Sequence, residues 1–157
     1  MTPERWQQIK NVLAEALEAL GSDGSATLAV SNLPAGVVPL TAEYNGDSRY
    51  AKSTSPSVDE TINPTSSTTT LTSSRNPLKR GQSVTFTAAV KTETGVSANG
   101  TVTFTAGNTT LGSANLAAGQ ARISTGSLPP GANTVTATYT GNANINGSSA
   151  ALTQQVN

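Results

Sequence analysis

Along its C-terminal two thirds the chain beats in twos. In "SVTFTAAV", Val84, Phe86, Ala88 and Val90 fall on one face of an extended strand, and Ser83, Thr85, Thr87 and Ala89 on the other. "TVTFTA" repeats the beat with Val102 and Phe104, and "TVTATY" with Val135, Ala137 and Tyr139. Apolar residues alternating with threonine mark antiparallel strands that bury one face and solvate the other. Turn-forming residues punctuate these runs at Arg75-Asn76-Pro77, Gly95, Asn99-Gly100, Ala106-Gly107-Asn108, Gly119, Pro129-Pro130-Gly131, Gly141-Asn142 and Asn146-Gly147. The pattern predicts strands over 66–73, 82–91, 100–106, 109–116, 119–126, 133–140 and 149–156, which suits a two-sheet antiparallel sandwich. Its expected inner face is Leu71, Val84, Phe86, Val90, Val102, Phe104, Leu111, Leu116, Ile123, Leu128, Val135, Ala137, Tyr139, Leu152 and Val156.

The first twenty or so residues follow a different period. Trp6, Ile9, Leu13, Ala16, Leu17 and Leu20 recur at spacings of three and four. Thr2 suits a helix cap, Pro3 the first helical position, Glu4 the positive end of the dipole, and Gly21 a C-cap. This predicts an amphipathic helix over 3–20, which needs a surface to pack on because a lone helix of that length is marginal in water.

Between these two regions lies a partial copy of the C-terminal one. Leu33-Pro34 matches Leu128-Pro129, Gly36 matches Gly131, Thr41-Ala42 matches Thr136-Ala137, Tyr44 matches Tyr139 and Gly46 matches Gly141. Upstream, "GSATL" from Gly24 aligns with "GQARI" from Gly119. Downstream, with one residue of slack, Val58 meets Leu152 and Ile62 meets Val156. Repetition on the scale of a domain implies tandem modules. The expected organisation is a helix (1–21), a partial module holding the last three strands (22–64) and a complete domain (65–157). A half sandwich exposes an apolar face, here Leu28, Val30, Leu40, Ala42 and Tyr44, which the helix stripe is expected to cover.

Composition narrows the chemistry. Among 157 residues there is no Cys and no His, and the net charge is zero. Disulfides, thiolate metal sites, imidazole ligands and the Ser-His triad are therefore excluded. A neutral chain carries no electrostatic footprint for nucleic acid. No apolar run is long enough to span a membrane as a helix. Charges at Glu4, Arg5, Lys10, Glu15 and Glu18 interrupt any signal-peptide core.

"TSSTTTLTSSRNPLKRGQSVTFTAAV", "GTVTFTAGNTTLGSANLAAGQARIST" and "LPPGANTVTATYTGNANINGSS", in that order, resemble the bacterial Ig-like repeat domains of long surface and secreted proteins. The resemblance covers 65–157 in full and 22–63 as a half copy. In the last turn Asn142-Ala143-Asn144-Ile145 departs from the family's usual acid and aromatic, whereas Asp47-Ser48-Arg49-Tyr50 keeps them. The first twenty residues separately resemble the segment that precedes the catalytic domain in some acidobacterial serine/threonine kinases, but the chain carries none of the kinase motifs.

The resemblance implies a mainly β, immunoglobulin-like sandwich. It also implies a non-catalytic spacer or adhesion module at the cell surface or outside the cell. The expected partners are neighbouring Ig-like repeats or another copy of the chain. A glycan- or protein-binding module using the end loops is the alternative. The residues themselves offer little else. Asp47 reads as a turn residue rather than a cation ligand, Glu60 as an inward or edge charge in phase with Val58 and Ile62, and Lys79-Arg80 as a solvated turn. Trp6 and Tyr50 read as packing groups. The Asn-x-Ser/Thr triplets at Asn99, Asn108 and Asn146 read as turns, and Lys91 with Glu93 as a strand end rather than an isopeptide centre. No catalytic, cofactor or metal site is expected.

Overall fold

A computed structural model of the chain describes residues 6–11, 15–31 and 33–157, with side chains from residue 20 onward. The chain divides into two units, Met1–Asn63 and Pro64–Asn157. The first holds β1 (Trp6–Asn11), β2 (Glu15–Ala19), β3 (Gly36–Tyr44), β4 (Ser53–Thr54) and β5 (Val58–Ile62). The second holds β6 (Ser67–Ser73), β7 (Val84–Thr92), β8 (Thr101–Ala106), β9 (Thr109–Asn115), β10 (Gln120–Thr125), β11 (Gly131–Asn142) and β12 (Ile145–Val156). Among the described residues there is no helix, and so none long and apolar enough to cross a membrane.

The C-terminal unit is the sandwich that the alternation predicts. One sheet runs β10-β7-β6 and the other β12-β11-β8-β9, with every ladder antiparallel. On β7, Val84, Phe86, Ala88 and Val90 are buried while Thr85 and Thr87 are not. Phe104 and Val102 on β8, with Val135, Ala137 and Tyr139 on β11, complete the buried face from the second sheet. All the expected inner-face residues are in this core or partly buried against it. Leu78, Ala98, Ala121 and Ile145 join them. Burying each large apolar side chain contributes about 1.5–3 kcal/mol, and with no disulfide this face supplies the cohesion.

The edges β6 and β12 meet through a polar seam. Ser67 Oγ donates to the Asn146 carbonyl (2.6 Å), and Ser67 and Thr69 share hydrogen bonds with Ser148 Oγ (2.8 and 2.7 Å). Ser73 Oγ donates to Gln154 Oε1 at 2.6 Å. Parallel bridges close the seam at both ends, Thr65 with Ile145 and Leu78 with Val156.

In the N-terminal unit β3 carries β1 on one edge and both β4 and β5 on the other, and β2 pairs with β1. This order repeats β9-β8-β11-β12. Ile9 pairs with Ala42 and Gln7 with Tyr44, as Phe104 pairs with Ala137 and Val102 with Tyr139. Ala16 then pairs with Ile9 as Gly112 pairs with Phe104. Within the span expected as an amphipathic helix, Trp6–Asn11 and Glu15–Ala19 are therefore paired strands in the place of β8 and β9, and Leu13 lies outside the described residues. The caps expected at Thr2, Pro3 and Glu4 lie outside the described residues. The physical reason is the edge of β3. A strand edge presents a row of N–H and C=O groups, and a helix, which satisfies only itself, leaves them unpaired.

Upstream of β3 an expected strand is absent among the described residues. The repeat aligns Gly24–Leu28 with the start of β10, yet residues 20–31 form no strand. In the complete domain the ladder partner of β10 is β7. The N-terminal unit has no counterpart of β7 among its described residues, so this segment has nothing to pair with. Val30 is exposed, while Leu28, Leu40, Ala42 and Tyr44 are half-buried.

The slack in the repeat has a location. Thr54 pairs with Glu43 as Ser149 pairs with Thr138, and Val58 with Leu40 as Leu152 with Val135. The extra residue lies in Ser55-Pro56-Ser57, where proline lacks a ladder N–H. Ser55 Oγ accepts from the Ala42 N–H instead (2.9 Å), and the strand breaks into β4 and β5.

Candidate functional site

At one end of the complete domain polar side chains converge where loop 93–100 meets the β11–β12 turn. Tyr139, 1% exposed, points its hydroxyl out of the core and donates to the Asn99 carbonyl at 2.8 Å. Burial pushes that hydroxyl's pKa above its ordinary 10.0. Asn142 Nδ2 donates to Asn99 Oδ1 (2.9 Å), and Asn142 Oδ1 accepts from the Asn144 N–H (2.9 Å). Thr92 Oγ1 donates to the Val96 carbonyl at 2.6 Å, which folds the loop and leaves Val96 59% exposed. The cluster consists of amides and hydroxyls. It can form hydrogen bonds, but it contains no group suited to proton transfer near neutral pH.

The same turn occurs in the N-terminal unit. Asp47 Oδ1 accepts from the N–H groups of Arg49 and Tyr50 (2.7 and 2.8 Å), as Asn142 does for its own turn. Gly46 (φ 80°) and Gly141 (φ 79°) occupy the same left-handed corner. Asp47 thus lies in a turn and organises its backbone.

The other candidates are scattered. Lys79, Arg80, Lys91 and Glu93 are exposed, as are Asn99, Asn108 and Asn146. Tyr50 is 56% exposed. Among the described residues no group of acids could hold a metal ion. The side chain of Trp6 lies outside the described ones.

Gln154 carries structural chemistry outside the candidates above. It is fully buried, and both ends of its amide are hydrogen-bonded. Oε1 accepts from Ser73, and Nε2 donates to the Arg75 carbonyl (2.9 Å), Asn76 Oδ1 (3.3 Å) and the Gln155 carbonyl (3.2 Å). The signal was its phase, because the two-residue beat from Leu152 to Val156 passes through it. Its counterpart Glu60, paired with Val38 as Gln154 is with Asn133, is exposed.

A family model described as bacterial Ig-like domain (group 3) matches residues 8–63 and 71–157. The chain belongs to that family. The first match starts within β1, so the bacterial Ig-like pattern includes the hairpin that stands in for β8 and β9. No curated protein matches the chain by sequence. Among solved structures it is similar to the fibronectin(III)-like modules of Clostridium thermocellum CbhA, at 15% identity and a TM-score of 0.49, over 99% of this chain and 79% of that one. It is also similar to domains 1–6 of the surface layer protein SbsC, at 17% identity and a TM-score of 0.36, over 96% of this chain and 20% of that one.

Proposed function

We propose that the chain is a non-catalytic structural repeat, one length of a spacer built from Ig-like modules at the surface of a bacterium or outside it. The observation that carries this reading is the recurrence of one sheet order, β9-β8-β11-β12, as β2-β1-β3 with β4 and β5. Modules in series on one chain suit a part that sets distance and presents something else. The solvated faces support the reading too, since threonine and serine alternate with the core and few charges intervene. The domain reading is a partial module over 22–64, extended by β1 and β2, and a complete one over 65–157. Its partners are neighbouring repeats, and its role is display or adhesion.

Protease shaving of intact source cells tests this. Peptides from residues 64–157 released without lysis are the expected result. Retention of the protein in the cytoplasmic fraction overturns it.

A second reading is supported by Val96, exposed beside the Asn99–Asn142 amides. In it the end loops bind a glycan or a protein surface. Glycan-array binding by the full chain, lost in Asn142→Ala, favours this reading. An empty array favours the spacer.

A further inference from the structure

We propose that the β4–β5 edge of the N-terminal unit receives an extended, basic, Ser/Thr-rich segment of the kind that opens an Ig-like repeat. The chain shows what such a segment does. In the complete domain residues 65–80 run alongside β12. They hold Ser148 through Ser67 and Thr69, Gln154 through Ser73 and the Arg75 carbonyl, and Val156 through the Leu78 bridge. Backbone bonds fix the far end, from Leu78 N to Gln155 O, Asn157 N to Leu78 O, and Arg80 N to Asn157 O, each 2.8 Å. Leu78 is 2% exposed as a result.

By register, Ser53, Val58, Glu60 and Ile62 are the counterparts of Ser148, Leu152, Gln154 and Val156. Ser53 and Glu60 are exposed, Val58 is 64% exposed, and Ile62 is half-buried. Among the described residues β5 pairs with β3 alone. The edge therefore keeps the alternation of a seam without the segment that closes it. Docking there repeats that seam, with backbone bonds at its two ends, hydroxyl bonds between them, and alternate side chains supplying selectivity.

Charge identifies the occupant further. Where the complete domain has the neutral pair Thr153-Gln154, this edge has Asp59-Glu60. A segment like 64–80 carries Arg75, Lys79 and Arg80 and no acid. Glu60, an acceptor only, takes the hydrogen bond of a Ser73-type hydroxyl and attracts the basic end. A second folded copy does not fit, because its own residues 65–80 are built into its sandwich.

The test titrates a synthetic peptide of residues 64–80 into the full chain and follows amide chemical shifts. Shifts at Ser53, Val58, Glu60 and Ile62 are expected. Affinity is expected to weaken at least about tenfold with Leu78→Asp in the peptide or Val58→Lys in the chain. It also weakens several-fold between about 0.05 and 0.5 M salt. Val58 is exposed, so an unchanged amide spectrum of V58K separates lost binding from lost folding. Absence of shifts overturns the proposal, as do shifts confined to residues 64–157. Self-association of the chain that V58K abolishes also overturns it, and assigns the edge to a second copy.

Discussion

The hydroxyl of Tyr139, at the end of the buried face of β11, is bonded to the carbonyl of Asn99 in the loop leading into β8. That side chain thereby ties the core to one end of the sandwich. Tyr139→Phe keeps the packing and removes the bond. The bond is part-buried, and the expected loss is about 1 kcal/mol, read from urea unfolding.

Alkaline pH probes the same group. A phenol whose pKa is raised on folding stabilises the fold fully below 10.0, its ordinary value, and loses that contribution as pH rises through the folded value. Stability of the C-terminal unit is therefore expected to fall from about pH 10 upward, and Tyr139→Phe to flatten the fall. An unfolding series in urea across that range checks both.

Gln154 and Glu60 share a register position but not a burden. Gln154→Ala takes one partner each from the Ser73 hydroxyl and the Arg75 carbonyl, which keep their bond to one another (3.0 Å), and leaves a void, at an expected cost of about 2–4 kcal/mol. Glu60→Ala, at an exposed site, is expected to change stability by less than about 0.5 kcal/mol. Amide exchange resolved by unit separates the two effects.

The corner glycines are expected to be intolerant in both units. A Cβ on Gly141 would press on the Ile145 carbonyl oxygen, and one on Gly46 would lie 2.8 Å from the Tyr50 carbonyl oxygen. Both also need a positive φ. Gly141→Ala and Gly46→Ala should each cost about 1–3 kcal/mol, with faster exchange at Asn144 and Tyr50 respectively.

How much of this was legible depends on whether an element's partner lay within the pattern. The seven strands of the complete domain could be read because each apolar beat had others to bury it, as Val84, Phe86, Ala88 and Val90 of β7 share one core with Val102 and Phe104 of β8. Strands β11 and β12 ran longer than expected because their ladder continues to Asn142 and Ile145. The hairpin of β1 and β2 could not be read, since local spacing favoured a helix and the deciding influence was the distant edge of β3. The missing strand near Ala26 has the same origin. Its sequence matches β10, but among the described residues of that unit no strand stands where β7 does. Gln154 was hidden by its polarity, although its phase was correct.

The parallel bridges at Thr65–Ile145 and Leu78–Val156 set how the domain responds to tension. A pull between Pro64 and Asn157 drags the leading segment and β12 lengthwise past one another. The bonds from Leu78 and Arg80 are then loaded together in shear rather than peeled open one at a time, so resistance to stretching is governed by the rate of their joint rupture.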